Sequence, residues 1–229
     1  MNIRQSMNKK GITLIELLVA LVICAISIAA IYRLFIAQSR AYVVQDQVAE
    51  IQQNIRTVME LIVRDVRMAG FDYDNSNSPV RIENFKPLPP YLVTASSINV
   101  WYENYRQGPP ITSEIHEVRY DFVGTDLRRQ LTVNGVVQPA ELLLENVISF
   151  ELTCGRDGRI GFEETQDGIV NDWVNCGTVN NNQDKVIAVR VSLTTRPDQI
   201  NADDDRFRTI SPRTLTSTIA LRNLSIKKF

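Results

Sequence analysis

The chain has 229 residues, 44% of them hydrophobic and 22% charged, with 25 Lys and Arg against 26 Asp and Glu and a formal charge of −1. That length holds one ordinary domain plus a shorter segment, since domains cluster at roughly 100 to 150 residues. A balance without basic excess gives no electrostatic footprint for a polyanion, so no nucleic-acid partner is expected.

The first eleven residues carry Arg4, Lys9 and Lys10 and no acid, and an apolar run follows from Ile12 to Ile31. About 20 residues at 1.5 Å each match a hydrocarbon layer about 30 Å thick, so the run is long enough to span a membrane. Basic residues before the run put the N-terminus in the cytoplasm and the remainder outside, although Arg33 and Arg40 soften the asymmetry. One carboxylate, Glu16, interrupts the run. A charge in hydrocarbon costs about 2.5 to 3.5 kcal/mol on insertion scales, so Glu16 calls for a partner. A secretory signal would end in a small-residue cleavage site, and no A-x-A-like site follows. The other place for a cut is before the run, at Gly11.

Gly11-Ile12-Thr13-Leu14-Ile15-Glu16-Leu17, behind a basic leader, closely resembles the processing motif of type IV prepilins and type II secretion pseudopilins. It departs only in having Ile12 where Phe is commoner. The resemblance implies that a prepilin peptidase cuts between Gly11 and Ile12 and that the new amine of Ile12 is methylated. It also implies that Glu16 pairs with the N-terminal amine of a neighbouring subunit during assembly. The physical reading agrees, because a carboxylate in low dielectric is far less costly beside an opposite charge.

From Ile12 to Ala69 there is no Gly or Pro, so one helix of about 58 residues, about 87 Å long, is allowed. Val48, Ile51, Ile55, Val58, Ile62 and Val66 recur at intervals of three and four, an amphipathic stripe suited to cover one face of a sheet in the same chain. A coiled coil between chains is the competing use. Arg64, Asp65 and Arg67 precede Gly70, which suits a helix end: late arginines complement the dipole, and glycine adopts the left-handed stop. The phrase from Arg64 to Phe71, and Thr218-Ile219-Ala220-Leu221-Arg222-Asn223-Leu224 near the other end, resemble the PilW family of minor type IV pilins. The J-type pseudopilin of type II secretion is the nearest alternative.

Beyond Gly70 the period changes. Residues 72–90 are turn-rich, with Pro79, Pro87, Pro89 and Pro90. Alternation then predicts strands through Ile98, Val100 and Tyr102; Val118, Tyr120 and Phe122; Ile148, Phe150 and Leu152; Ile187, Val189, Val191 and Leu193; and Leu215, Ser217, Ile219 and Leu221. Asn134-Gly135 between apolar flanks is a two-residue hairpin signal. The expected class is α+β: a type IV pilin-like fold with a long N-terminal helix packed on an antiparallel β-sheet head. Four segments follow from this reading: a removable leader over 1–11, the membrane half of the helix over 12–35, its amphipathic half over 36–70, and a β-rich head over 71–229.

The stretch 155–184 reads as a long loop rich in Gly, Asn and acids. Cys154 and Cys176 flank most of it, and two cysteines in an outward-facing domain are expected to pair. Cys24, in the apolar run, reads as a small packing residue. Asp157, Asp167 and Asp172 are weak calcium candidates, as are Asp198 and Asp203 to Asp205, but none lies in the alternating acidic ladder of a standard site. No metal and no cofactor are expected. His116 is the only histidine and lacks a nucleophile elbow, a metal-binding pair or a phosphate loop, so an enzyme is not expected.

The resemblance implies a minor pilin that helps to start or cap a type IV pilus. Its expected partners are the prepilin peptidase, other minor and major pilins and the inner-membrane assembly platform. It would sit in the inner membrane with a single pass and a periplasmic head, and at the cell surface after assembly. A pilus-borne adhesin using the 155–184 loop, with Phe162 and Trp173 as its aromatics, is a second possibility.

Overall fold

The computed structural model describes residues 11–71, 91–94, 96–106, 112–159, 168–179, 184–196 and 211–221. The chain forms two compact units, Met1–Asp46 and Gln47–Phe229. Helix α1, Leu14–Met68, begins in the first and ends in the second. In the first unit the helix buries nothing: Leu14, Leu18, Leu21, Ile26, Ile31 and Leu34 are all more than half exposed. That part of the helix is long and apolar enough to cross a membrane. Ser27 donates its hydroxyl to the Ile23 carbonyl one turn back, so no polar hydrogen is left facing an apolar surrounding.

In the second unit the helix shows one buried stripe, Ile51, Ile55, Val58, Met59, Ile62, Asp65 and Val66. The helix stops where Gly70 takes φ +74. The Gly70 N–H then donates to the Trp101 carbonyl at 2.8 Å and the Phe71 carbonyl accepts from the Glu103 N–H at 2.9 Å, so the helix end is stitched to the strand beside it.

The head contains two antiparallel sheets, where alternation alone pointed only to antiparallel sheet. The first holds β1 (Tyr91–Val93), β2 (Ser97–Arg106), β3 (Thr112–Val123), β4 (Asp126–Val133), β5 (Val136–Val137) and β6 (Glu141–Leu144). Its order is β1-β2-β3-β4-β5, with β6 also on β4. The second holds β7 (Val147–Arg159), β8 (Asp172–Asn175), β9 (Asp184–Thr195) and β10 (Arg213–Ala220) in the order β10-β9-β7-β8. Asn134 and Gly135 have φ +49 and +82, as a type I′ hairpin between β4 and β5 requires. The helix stripe and both sheets share one core, including Ile62, Val66, Val100, Tyr120, Phe150, Val191 and Ile219.

Two expectations are corrected. Ile148 is 41% exposed while Val147 is 2% exposed, because the pairing of β7 with β9 slips between Val147 and Ser149. The extra residue of that bulge throws Ile148 outward, and Phe150 and Leu152 resume the buried face. The stretch 155–184 is not a single loop: β7 runs on through Arg159, and β8 returns beside it with Cys154 opposite Val174. A short 3-10 turn, Cys176–Thr178, follows β8 and brings Cys176 to Cys154, and the two are disulfide-bonded with Cα atoms 5.1 Å apart.

Candidate functional site

At the start of α1 the structure adds a partner that the apolar reading of Glu16 overlooked. Thr13 donates both its backbone N–H (3.1 Å) and its hydroxyl (3.0 Å) to Glu16 Oε2. The Glu16 N–H donates back to the Thr13 hydroxyl at 3.3 Å. This is a capping box, Thr13 at the N-cap and Glu16 three residues on, and it satisfies orphan donors of the first turn. One carboxylate oxygen is therefore held by the chain's own backbone. The other, Oε1, has no partner among the described residues. The box fixes the carboxylate on the first turn, at the positive end of the helix dipole.

Gly11 precedes it with no positive φ and nothing within 4 Å of where a Cβ would stand. The fold therefore does not demand glycine there, so its presence has to be explained by something other than packing or backbone geometry. Ile12 is 78% exposed. Cys24 is free and exposed in the first unit.

A second polar cluster lies inside the head. Asp65, 1% exposed, accepts from the Tyr120 hydroxyl at 2.7 Å and from Arg129 Nε at 2.9 Å, and Arg64 Nε approaches its other oxygen at 3.2 Å. Tyr120 and Arg129 are direct cross-strand partners on β3 and β4, so the carboxylate of α1 bolts the helix to the first sheet. Burial, reinforced by the Asp65 charge and hydrogen bond, pushes the Tyr120 phenol far up. Tyr102 is also raised, chiefly by burial and then by Asp65. The sequence reading named Asp65 only as part of the helix end. Its position three residues after Ile62, on the buried stripe, was the signal that went unused.

Two of the acidic candidates, Asp157 and Asp172, make contacts within the head. Asp157 is fully buried and its Oδ2 accepts the Gly168 N–H at 3.0 Å. Asp172 pairs with Arg156 through two contacts, Nε to Oδ1 and Nη2 to Oδ2. Asp167, Asp198, Asp203, Asp204, Asp205 and Phe162 lie outside the described residues. Among the described residues no three His, Cys, Asp or Glu side chains converge as a metal set would need. Trp173, expected as a contact aromatic on a loop, instead sits on β8 with the Arg190 guanidinium 4.2 Å over its ring. His116 lies on β3 beside Asn104 and Glu114, its ring 5.5 Å from that of Tyr102.

An exposed apolar helix start with one capped carboxylate thus continues into the core of an antiparallel β head. Comparisons with known proteins narrow this. The family model described as the prokaryotic N-terminal methylation motif matches residues 6–32, and that of type IV pilus-assembly protein W matches residues 123–223. The pilin-like protein PilA3 of Thermus thermophilus is 30% identical over 125 residues, 53% of this chain and 52% of that protein. The chain thus spans about half the length of the curated relative it matches. The structure of the type IV-like pilin TTHA1219 from Thermus thermophilus superposes with a TM-score of 0.42 at 10% identity, covering 76% of this chain and 98% of that one, a likeness too distant to argue from. The start of the chain thus carries a match to a prepilin-type methylation motif, and residues 123–223 carry a match to the pilus-assembly protein W model.

Proposed function

We propose that this chain is a minor pilin that enters a type IV pilus through the first turns of α1 and carries its head outward. The observation that carries the reading is the helix start: Gly11 in a position where packing does not require glycine, followed by a capping box that holds Glu16 on the first turn. Hydrolysis of the Gly11–Ile12 peptide bond by a prepilin peptidase would release the leader and create an amine on Ile12, which then receives a methyl group. The amine stays cationic after methylation. Glu16 Oε1 of one subunit then meets the Ile12 amine of another, and two unit charges about 4 Å apart attract by about 4 kcal/mol at an effective dielectric of about 20. Such a contact offsets the penalty of carrying a carboxylate in hydrocarbon.

The exposed apolar surface of α1 in the first unit would be covered by lipid before assembly and by other pilins, minor and major, within the filament. The chain would be anchored in the inner membrane with its N-terminus cytoplasmic and its head periplasmic, and would reach the cell surface in the pilus. The match to the pilus-assembly protein W model is the reason for preferring a pilus to a secretion pseudopilus. Complementing a deletion strain tests this. Wild type is expected to restore surface pili. Glu16→Ala is expected to give a processed chain of normal abundance with pilus number reduced at least tenfold, and Glu16→Gln, which keeps the cap but not the charge, to behave like Ala. Normal piliation by the Gln variant would refute the charge pairing.

A further inference from the structure

Strand β10 is an edge strand that lacks the usual protection. Among the described residues it pairs only with β9, over all eight residues and without a register shift. It contains no proline, and its only charge is Arg213 at the start. The Leu221 N–H donates to the Ile187 carbonyl at 2.7 Å in the same register, so Leu221 and every second residue before it bond to β9. The N–H and C=O groups of Thr214, Thr216, Thr218 and Ala220 therefore point away from the sheet along its free edge. The other edge strands described, β1, β5, β6 and β8, are two to four residues long. A long, regular, unblocked edge is a template for another strand.

Beside this edge runs a groove of about 560 Å³ between β10 and the later turns of α1. Met59, Val63 and Met68 from the helix and Leu215 from β10 form its apolar wall. Its rim holds Arg56, Arg64 and Arg67 with Glu60, and Arg64 also reaches Asp65. A helix laid there would cover the apolar wall but leave the outward amides of β10 without partners. A strand answers both, pairing its backbone with β10 and turning alternate side chains onto the methionines. A second copy of this chain would bring the same arginines to face their like. The thirteen helix residues from Arg56 to Met68 extend about 19 Å, which a strand of about six residues covers.

We propose that the free edge of β10 and the groove beside it form a strand-addition site for an extended, acidic segment of a partner polypeptide, about six residues long and apolar at alternate positions. This site is independent of Glu16 and of the minor-pilin reading.

The test uses the full chain in lipid nanodiscs and a phage-displayed library of random decapeptides. Enriched peptides should carry Asp or Glu between alternating apolar residues. Synthetic copies should bind at least tenfold more weakly to Thr216→Pro, which deletes one outward N–H without touching the β9 ladder, and within twofold of wild type to Thr216→Val. Peptide binding should slow hydrogen exchange at Thr214, Thr216 and Thr218, while unchanged exchange at Leu215 and Ser217 in Thr216→Pro shows that β10 is still in place. The proposal is overturned by equal binding to Thr216→Pro or by absence of enrichment. It is overturned too if the outward amides are already protected in the free monomer, which would mean that the chain covers its own edge, or protected in a dimer, which would make a second copy the occupant.

Discussion

Replacing Asp65 by alanine would remove the charged link from the helix to Arg129 of the first sheet. Arg129, its side chain 13% exposed, would keep only the exposed Glu141 carboxylate at 3.9 Å, and the Tyr120 hydroxyl would lose its acceptor. Breaking a buried pair from one side costs about 3 to 5 kcal/mol, because the remaining charge is not resolvated. The orphaned hydroxyl adds about 1 to 3 kcal/mol where it cannot reach water, and the two losses overlap because they share one carboxylate. The expected loss is therefore about 4 kcal/mol, a large part of the roughly 5 to 15 kcal/mol that holds a domain together. At about 2 to 4 °C per kcal/mol for a domain of this size, the melting temperature should fall by roughly 8 to 16 °C. Tryptophan fluorescence of the full chain in detergent, reporting largely on buried Trp101, follows the transition. Tyr120→Phe should cost only about 1 to 2 kcal/mol. Asp65→Leu with Arg129→Met should recover most of the stability, since a buried pair is often replaced neutrally by apolar residues of similar size. If Asp65→Ala lowers stability by less than about 1 kcal/mol, or if the double variant is no better than the single, the cluster is not the bolt described and the helix is held by its apolar stripe alone.

Converting Cys154 and Cys176 to serine together should lower stability by about 3 kcal/mol, the chain-entropy value for a closed loop of this length, and equilibrium denaturation measures it. In Gly155→Ala the new Cβ would stand 2.9 Å from Val170 Cγ1 and 3.2 Å from Trp173 Cη2, so about 1 to 3 kcal/mol should be lost. Adding Val170→Ala should return part of it in the same assay. The phenol of Tyr120 is pushed up on folding, so its contribution is complete below about pH 10 and is lost as pH rises above that value. In a Cys24→Ser background, which keeps a thiolate from attacking the disulfide, stability should fall between about pH 10 and 11.5 by up to about 1.4 kcal/mol per pH unit for this group. Tyr120→Phe should flatten that slope, and an unchanged slope would contradict the assignment.

Much of the fold is written locally. The absence of Gly and Pro from Ile12 to Ala69 permits a single long helix, and the stripe from Ile51 to Val66 names the face it buries. Asn134-Gly135 specifies its own turn, because both positions accept positive φ. What sequence could not supply is non-local. The division of the strands into two sheets depends on pairings between segments far apart in the chain. Ile148 continues an alternating pattern, yet the bulge that turns it outward exists only through the register with Thr194 and Thr195 of β9. Glycine at 155 suggested a loop, whereas it is needed where Val170 and Trp173 press on the strand.

The helix start was legible in part. Thr13 and Glu16 have capping-box spacing, but the cost of a charge in an apolar run drew attention outward to another subunit and away from the residue three positions earlier. Asp65 was passed over for the opposite reason. A charge near a helix end suits the surface, and only the arrival of Tyr120 and Arg129 from neighbouring strands makes burial tolerable. In both cases the deciding interaction is a partner for a carboxylate, one local and one distant.

The most direct measurement is the mass of the chain's N-terminal peptide in filaments sheared from the surface of the native host. Assembly as a minor pilin predicts a peptide that begins at Ile12 and carries one methyl group on its amine, present in the sheared fraction at a small ratio to the major subunit. A chain found only in the membrane fraction with residues 1–11 still attached, and absent from sheared filaments, would contradict it.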